Sequence, residues 1–282
     1  MELHGRAKNI GLTPDSRSPL SPQSNDSREI KEVWCYNLDN EMNSIMQAAT
    51  RYPFIGMDTE FPGICFYSKD KQASFFEYGI IRENVNNLKL IQLGITFCSV
   101  DGVIADDCPI WQFNFRFDPS VDVFNAESMQ LLEMAGVDFK AHATKGIEPR
   151  RFGELITMSG LILSPSITWI TFHGIYDFAY FVHILMGSDL PASYEEFDTI
   201  RRVYFPHVYD VKALCMECRE LSGGLNRIAQ QMNVDRVGTA HQSGSDSRVT
   251  IETFFRIRKM FFADGIRPQF DGLLYGVPAV KS

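Results

Sequence analysis

The chain has 282 residues, of which 45% are hydrophobic and 22% are charged, so it can bury a sizeable core in one large domain or two small ones. Its formal net charge of −8 differs from that of a generic nucleic-acid-binding protein, which is usually basic. This charge weakens a nucleic-acid-binding interpretation without excluding it. It predicts modest intrinsic affinity for such a substrate and a need for partners that deliver it.

The first residues, the apolar runs and the cysteines predict the cellular compartment of the chain. The first residues lack a basic segment followed by an apolar run, and no run of about 18 apolar residues could span a bilayer. Six scattered cysteines without a secretory leader predict a reducing, intracellular compartment. Cys215 and Cys218 form a lone CxxC motif, which fits two cysteines on a packed helix better than a zinc or redox site.

Domain organisation follows from a change in composition near residue 29. Residues 1–28 are rich in Ser, Pro, Asn and Asp, and we predict a disordered leader because they bury little apolar surface. Residues 29–276 contain no internal repeat or linker and are predicted to form one domain, with a flexible tail over 277–282. From Val33 and Trp34 onwards, apolar residues recur at helical spacing and predict a helix that ends near residue 51.

The next segment, residues 54–61, reads as a short buried strand that carries two carboxylates. Because side chains alternate along a strand, Asp58 and Glu60 share one face and lie about 7 Å apart along the chain. Two like charges on an apolar strand resist desolvation, and a hard divalent cation would offset them. The alternative is a solvated edge strand with two surface acids.

The remaining pattern alternates strands and helices. Strands predicted over 88–97 and 110–117, with a turn between them, indicate an antiparallel meander with the acidic strand. Helices are predicted over 125–135, 149–160, 211–221 and 225–232, and strands over 166–172 and 208–211. Ser193 begins a capping box for another helix. The simplest architecture is an α/β domain with a mixed sheet and helices on both sides.

Three separate segments present acids at the end of a strand or the start of a helix. Asp177 follows the strand over 166–172, and Asp246 lies in the first turns of the last helix, for which Ser243 or Ser245 is the expected N-cap. With Asp58 and Glu60 they make four carboxylates, which suit two divalent ions about 4 Å apart. His241 lies five positions before Asp246 and suits general-base catalysis near neutral pH.

Each of these residues also has a simpler interpretation. Asp246 could serve only as a partner for the helix dipole, and His241 could be polar surface. His173 fits a satisfied core residue better than a ligand, and Asp210 fits an acceptor at a strand end. The basic residues predicted to lie on solvated helix faces are Arg150, Arg151, Arg201, Arg202, Arg256, Arg258 and Lys259.

Four segments add a resemblance to a known family, which the spacing of single residues does not supply. Residues 57–63 (MDTEFPG), 172–178 (FHGIYDF), 208–212 (VYDVK) and 241–247 (HQSGSDS) resemble, in this order, the motifs of the DEDD exonuclease superfamily. More narrowly, residues 28–276 resemble the CCR-associated factor family of deadenylases, which are subunits of the CCR–NOT complex. The resemblance implies a ribonuclease-H-like fold and removal of 3′-terminal poly(A) from messenger RNA, with release of 5′-AMP.

The resemblance also implies roles for individual residues and partners. Asp58, Glu60, Asp177 and Asp246 would bind two divalent cations, Mg²⁺ or Mn²⁺, and His241 would be the general base. The partners implied are poly(A) RNA and the scaffold and second nuclease subunits of the CCR–NOT complex, in the cytoplasm and the nucleus. Two other functions stay open: a non-catalytic adaptor of the same complex, and an exonuclease of the superfamily that trims DNA.

The chain departs from the family pattern at a few positions near the expected ligands. Gly174 and Ile175 stand where Ser-Gly is usual, and Ala179 replaces a glycine. Arg248 stands where a leucine is usual and adds a positive charge near Asp246. None of these changes replaces an expected ligand, so they bear on rate or substrate path rather than on metal binding.

Overall fold

The computed structural model describes residues 30–67 and 78–277, which form a six-stranded mixed sheet with helices on both faces. The strands, in chain order, are β1 (Ile30–Val33), β2 (Phe54–Glu60), β3 (Gln92–Cys98), β4 (Ile110–Asn114), β5 (Thr168–Thr171) and β6 (His207–Asp210). Their spatial order is β1-β4-β3-β2-β5-β6. The predicted meander is confirmed, because β2–β3 and β3–β4 are antiparallel, whereas the other three pairings are parallel.

Ten helices surround the sheet within the described residues. They are α1 (Leu38–Ala49), α2 (Tyr78–Asn87), α3 (Ala126–Met134), α4 (Phe139–Lys145), α5 (Pro149–Thr157), α6 (Ile175–Met186), α7 (Tyr194–Tyr204), α8 (Val211–Cys215), α9 (Leu225–Gln231) and α10 (Ser243–Phe261), followed by a 3₁₀ turn at Pro268–Phe270. The larger core joins one sheet face to α1, α5, α6 and α7, and a second core joins the other face to α8, α9 and α10. The predicted fold class is therefore confirmed.

Helix α10 packs unusually close to the sheet because small residues lie beneath it. A Cβ atom on Gly56 would lie 2.7 Å from Cβ of Ile251, and one on Gly94 would overlap the backbone at Ser243 and Gly244. The hydroxyls of Thr96 and Ser247 lie 2.8 Å apart at the same interface. Gly56 is paired with Thr96, and Asp58 with Gly94, so this strip of small residues adjoins the acidic end of β2. The close contact brings the first turn of α10 to the β2 carboxylates.

The N-terminus of α10 is capped by the sheet and not by a local serine. Oε1 of Gln112 accepts from the Gly244 N–H at 2.9 Å, and Oε1 of Gln92 accepts from the Ser243 N–H at 3.4 Å. Gln242 holds the N-cap position, so the expectation of Ser243 or Ser245 was wrong. Both serines lie inside the helix, because distant glutamines on β3 and β4 satisfy the free amides.

Three elements differ from the sequence prediction. Residues 30–33 form an edge strand and not the start of a helix; Asn37 ends it by accepting from the Trp34 N–H at 2.7 Å and donating to the Glu32 carbonyl at 3.0 Å. Helices α2 and α4 were missed. The first is rich in polar residues, and the second has only seven residues, so neither shows a clear apolar periodicity.

Two further expectations concern single residues and the chain ends. Arg201 was expected on a solvated face but is fully buried, where Nε donates to Asp198 at 2.9 Å and Nη2 to the Gly272 carbonyl at 2.9 Å. The predicted leader over 1–28 and residues 278–282 of the predicted tail lie outside the described residues, so both stay predictions. Within residues 30–67 and 78–277, no helix has the length and apolar character needed to cross a bilayer.

We predict that Gly56→Ala lowers the free energy of unfolding by about 1–3 kcal/mol, the usual cost of overpacking a tight interface. The added methyl group would have to displace the Ser247 carbonyl and the Ile251 side chain. Urea denaturation of the metal-free protein measures the change. Gly224→Ala is the matched control, because a Cβ there meets no atom within 4 Å. Equal stability of the two variants would contradict the close contact between α10 and β2.

Candidate active site

A cleft of about 470 Å³ opens where the end of β2 meets the start of α10. It contains four of the five residues predicted from the sequence to form the site. The residues that line it are Asp58, Thr59, Glu60, Phe172, Gly224, Leu225, Asn226, Arg227, His241 and Asp246. The structure therefore brings together acids that are separated by almost two hundred positions in the chain.

The pleat of β2 and the first turn of α10 place the acids of this cleft. Asp58 and Glu60 lie on the same face of β2 as Gly56, which is the face that α10 covers. Asp246 is the fourth residue of α10 and is buried, whereas Asp58 and Glu60 are partly exposed to the cleft. The close packing of α10 on glycine thus sets the separation between the β2 carboxylates and Asp246.

His241 lies on the loop before α10 with its side chain exposed to solvent. Its φ angle of 64° is in the left-handed region, and its backbone N–H donates to Oδ2 of Asp246 at 3.0 Å. A ring nitrogen of His241 and one carboxylate oxygen each of Glu60 and Asp246 all lie within 4.8 Å of one another. The unusual backbone turn therefore directs the imidazole ring to the carboxylates.

Asp177 is adjacent to the cleft but does not line it. Its oxygens accept hydrogen bonds from the hydroxyls of Thr59 and Thr171, the second at 3.0 Å. Burial raises the pKa of Asp177 to about 7, although these two hydrogen bonds act in the opposite direction. The role of Asp177 as a metal ligand stays a prediction, because both of its oxygens contact threonines in this structure.

The carboxylates of the cleft lie close enough to perturb one another. Burial raises the pKa of Asp58 well above its ordinary value, and the charges of Asp177, Asp246 and Glu60 raise it further. Burial also raises the pKa of Glu60 to about 8, with added repulsion from Asp246 and Asp177. Such raised values are typical of sites in which several acids share a space that a cation can fill.

Arg236 supplies a positive charge that contacts Asp246, and the sequence analysis missed it. Its Nη1 lies 2.5 Å from Oδ1 of Asp246 and 2.8 Å from Oγ of Ser245. Its charge lowers the pKa values of Asp58 and Glu60, against the effect of burial. No pattern in the sequence marks this residue, since it lies in an irregular loop before the His241 motif.

The donor set fits a divalent cation. Glu60, His241 and Asp246 offer two carboxylates and an imidazole within 4.8 Å, and Asp58 adds a carboxylate to the same cleft. Oxygen-rich sites of this kind suit Mg²⁺ and Mn²⁺. The raised pKa values give a second reason, because bound cations would offset the repulsion between the acids.

The other candidates do not join this cleft. Asp210 is buried and accepts hydrogen bonds from the backbone N–H groups of His173, Gly174, Lys212 and Tyr275, which confirms its structural role. His173 was expected in the core but is exposed, with a φ angle of 61° and its ring against Tyr275. None of the six cysteines, all of which lie within the described residues, forms a disulfide, and Cys215 and Cys218 are buried in the smaller core, so packing accounts for the CxxC motif.

Comparisons with known proteins agree with this architecture. The chain is 44% identical over 259 residues to "Probable CCR4-associated factor 1 homolog 10" of Arabidopsis thaliana, which covers 89% of this chain and 93% of the relative. It is 42% identical over 255 residues to "Poly(A) ribonuclease pop2" of Schizosaccharomyces pombe, which covers 90% of this chain and 76% of the relative.

Solved structures share the fold. The S. pombe Pop2p structure in its Mg²⁺- and Mn²⁺-bound form matches with a TM-score of 0.84 at 42% identity, over 88% of this chain and 99% of that one. A chain in the structure of the yeast NOT1 MIF4G domain co-crystallised with CAF1 matches with a TM-score of 0.75 at 29% identity, over 92% of this chain and 100% of that one. Exonuclease I of E. coli is 11% identical and matches with a TM-score of 0.52, over 74% of this chain and 41% of that one, so it shares the fold alone.

The mixed sheet and its convergent carboxylates define the class of DEDD-type exonucleases with a ribonuclease-H-like fold, as the sequence motifs predicted. Within that class the particular family is also established. The family model "CAF1 family ribonuclease" matches residues 33–149 and 157–254, and the chain belongs to this family.

We predict that the metal-free protein loses stability as the pH rises from about 4.5 to about 8. Burial raises the pKa of Glu60 to about 8 in the folded protein, whereas in the unfolded chain this pKa is about 4.5. The folded state then binds more protons than the unfolded state, so the free energy of unfolding falls as the pH rises through this window. Thermal denaturation in EDTA across the window measures this change.

The difference between the parent and Glu60→Gln isolates the contribution of this carboxylate. Buried His142 acts in the opposite direction, because burial lowers its pKa, but it is common to both proteins. In Glu60→Gln the free energy of unfolding should fall less steeply with pH than in the parent. Glu127→Gln changes an exposed residue of α3 and is the control, in which the fall should equal that of the parent. A fall that is equally steep in Glu60→Gln would show that Glu60 is not the group responsible.

Proposed function

We propose that this chain is a metal-dependent 3′-to-5′ exoribonuclease that shortens the poly(A) tails of messenger RNA. The observation that carries the proposal is the cleft in which Asp58, Glu60, Asp246 and His241 meet, on the fold of the CAF1 ribonuclease family. Specificity for adenylate is supported by the name of the S. pombe relative, a poly(A) ribonuclease.

The proposed metal centre uses the carboxylates of Asp58, Glu60, Asp246 and the adjacent Asp177. Two divalent cations, Mg²⁺ or Mn²⁺, would supply Lewis-acid charge that activates water and stabilises the leaving oxygen. The Mg²⁺- and Mn²⁺-bound form of the S. pombe relative supports this choice of ions. The chain's own contribution is to hold these oxygens on β2 and α10, whose separation is fixed by the packing on Gly56 and Gly94.

The proposed reaction is hydrolysis of the last phosphodiester bond. Water attacks phosphorus, the bond to the 3′ oxygen of the preceding nucleotide breaks, and the products are 5′-AMP and a new 3′-hydroxyl end. A ring nitrogen of His241 accepts the proton of the attacking water, and its exposed position lets the proton pass to solvent. Arg236 offsets the charge of Asp246 when the cleft holds no cation.

Assembly and location complete the proposal. The yeast NOT1 MIF4G domain co-crystallised with CAF1 supports docking of this chain on a scaffold of the CCR–NOT complex. We propose that it acts there beside a second nuclease subunit, in the cytoplasm and the nucleus. The net charge of −8 supports delivery of RNA by partners, since the chain as a whole does not attract polyanions.

We predict that Asp58→Asn reduces the shortening of a 5′-labelled A-tailed RNA to the rate of the parent in EDTA. The substitution removes a charged oxygen ligand and leaves the volume of the side chain almost unchanged. The parent should regain activity when Mg²⁺ or Mn²⁺ is restored, and the variant should not. Asp189→Asn is the control variant, because Asp189 is an exposed residue just after α6, and it should shorten the RNA at the rate of the parent.

The same assay measures substrate choice by comparing the rates of shortening of RNA and DNA tails of equal length and of homopolymers other than poly(A). An RNA-specific ladder of 5′-AMP release is expected. Equal rates on DNA would favour a DNA-trimming exonuclease. A parent that binds a NOT1 scaffold but degrades no substrate with either metal would favour the non-catalytic adaptor.

We predict that His241→Ala lowers the turnover number about 10²–10⁴-fold, the usual contribution of a general base. The fold should survive, because the structural contact of His241 is made by its backbone N–H group and not by its ring. Single-turnover hydrolysis of A-tailed RNA measures the change, with binding of Mn²⁺ followed separately. His207→Ala, which removes a partly exposed histidine paired with Asp271, is the control. An unchanged rate in His241→Ala would remove this residue from the mechanism.

A further inference from the structure

A second, larger depression lies beside the active-site cleft. It is a groove of about 870 Å³ between the turn that follows β3 (residues 100–104), the loop over 233–237 and the outer face of α10 from Arg248 onwards. We refer to it as the α10 groove. It is partly open to solvent, and none of the four carboxylates of the active site lines it.

The charge of the α10 groove is opposite to that of the chain. Its lining contains Arg236, Arg248, Arg256, Arg258 and Lys259 against three acids, in a protein with a net charge of −8. Nε of Arg248 contacts Glu252 at 2.9 Å, so that acid is already paired. Arg256 and Lys259 are exposed, and neither forms an ion pair with another residue of the described chain. These cations are available to a negatively charged ligand.

Aromatic rings interleave with these cations. Phe255 and Phe262 line the groove and are partly exposed. The guanidinium of Arg258 lies 5.7 Å from the centre of the Phe255 ring, and that ring packs against Gly102. Basic residues that follow a phosphate backbone, with aromatic faces for bases, are the combination found in grooves that bind single-stranded nucleic acid.

A third depression lies between the groove and the active site. A smaller pocket of about 470 Å³ shares Asn226 with the catalytic cleft and residues 233–236 with the α10 groove. Arg236 lines both the smaller pocket and the groove, and its guanidinium reaches Asp246 of the active site. The three depressions therefore adjoin one another along α9, in the direction that a strand with its 3′ end at the carboxylates would take to the α10 groove.

We infer that the α10 groove binds the phosphates and bases of single-stranded RNA upstream of the 3′ end that is being hydrolysed. The inference rests on the proposed function, which places a 3′ end in the adjoining cleft. An acidic protein segment could match the charge, but the row of depressions that leads to the cleft and the partly exposed aromatic rings favour RNA. Arg248, where the family pattern has leucine, also lines this groove, but it is buried and paired with Glu252, so Arg256 and Lys259 are the cations that the inference uses.

The test compares two double variants that remove the same charge. Arg256→Gln/Lys259→Gln removes the two exposed cations of the groove, and Lys140→Gln/Lys145→Gln removes two exposed lysines of α4 that line neither the groove nor the cleft. Oligoadenylates of about 4 to 16 nucleotides, the range of single-strand site sizes, serve as probes. Hydrolysis is measured with Mg²⁺, and binding by anisotropy of a labelled strand in EDTA.

The groove variant should bind and hydrolyse the longest strand roughly tenfold less efficiently at low salt. The slope of its logarithmic binding constant against logarithmic salt concentration should be shallower by about 0.7 for each phosphate that the removed cations neutralise in the parent. On the shortest strand it should match the parent, because such a strand occupies only the cleft. The control variant should match the parent on all strands.

Two outcomes would overturn the inference: equal loss on short and long strands, or no difference between the groove variant and the control. Both leave the proposed function intact if the parent hydrolyses RNA. A parent that hydrolyses no RNA would remove the proposed function, whereas selective loss of long-strand binding in EDTA would still support the groove as an RNA site.

Discussion

The active site depends on carboxylates that repel one another and are held close together in a partly buried cleft. Asp58 and Glu60 project from β2 to the first turn of α10, where Asp246 is buried. Burial and mutual repulsion raise the pKa values of Asp58 and Glu60, so this arrangement reduces the stability of the metal-free protein above acidic pH. A fold retains such a cost when the site has a function, because neutral residues of similar size would pack there more favourably.

The sheet provides the rigidity that this arrangement requires. Gly56, Gly94 and Thr96 form a strip of small residues on which α10 lies, and Gln92 and Gln112 hold its N-terminal amides from below. The position of Asp246 is thus determined by backbone contact with β2 and β3 and by two side chains of the sheet. A carboxylate held in this way cannot move far from its neighbours, and its repulsion from Glu60 is relieved by Arg236 or by a cation.

The sequence predicted those features that depend on local pattern. The alternation on β2 predicted that Asp58 and Glu60 share a face, and hydrophobic periodicity predicted the meander and most of the long helices. The prediction from sequence was wrong where contacts between distant residues determine the secondary structure or the helix cap. Residues 30–33 form a strand because β4 lies beside them, and the N-terminus of α10 needs no serine cap because Gln92 and Gln112 reach it. Motif order pointed to Asp58, Glu60, Asp246 and His241, which the structure brings into one cleft. No local signal marks Arg236, which contacts Asp246 from an irregular loop.

The distribution of charge explains how an acidic chain can serve an anionic substrate. The excess of acids in the composition does not describe the surface that lies beside the active site, where basic and aromatic side chains are concentrated along one face of α10. Because electrostatic attraction between exposed charges decays within about 10 Å at ordinary salt, a strand near this face experiences the local cations more strongly than the distant acids. The same decay means that the chain attracts free RNA weakly from afar. In the proposed function, partners that bring the tail close and a groove that holds it afterwards therefore have separate physical tasks, and the overall charge of the chain limits only the first.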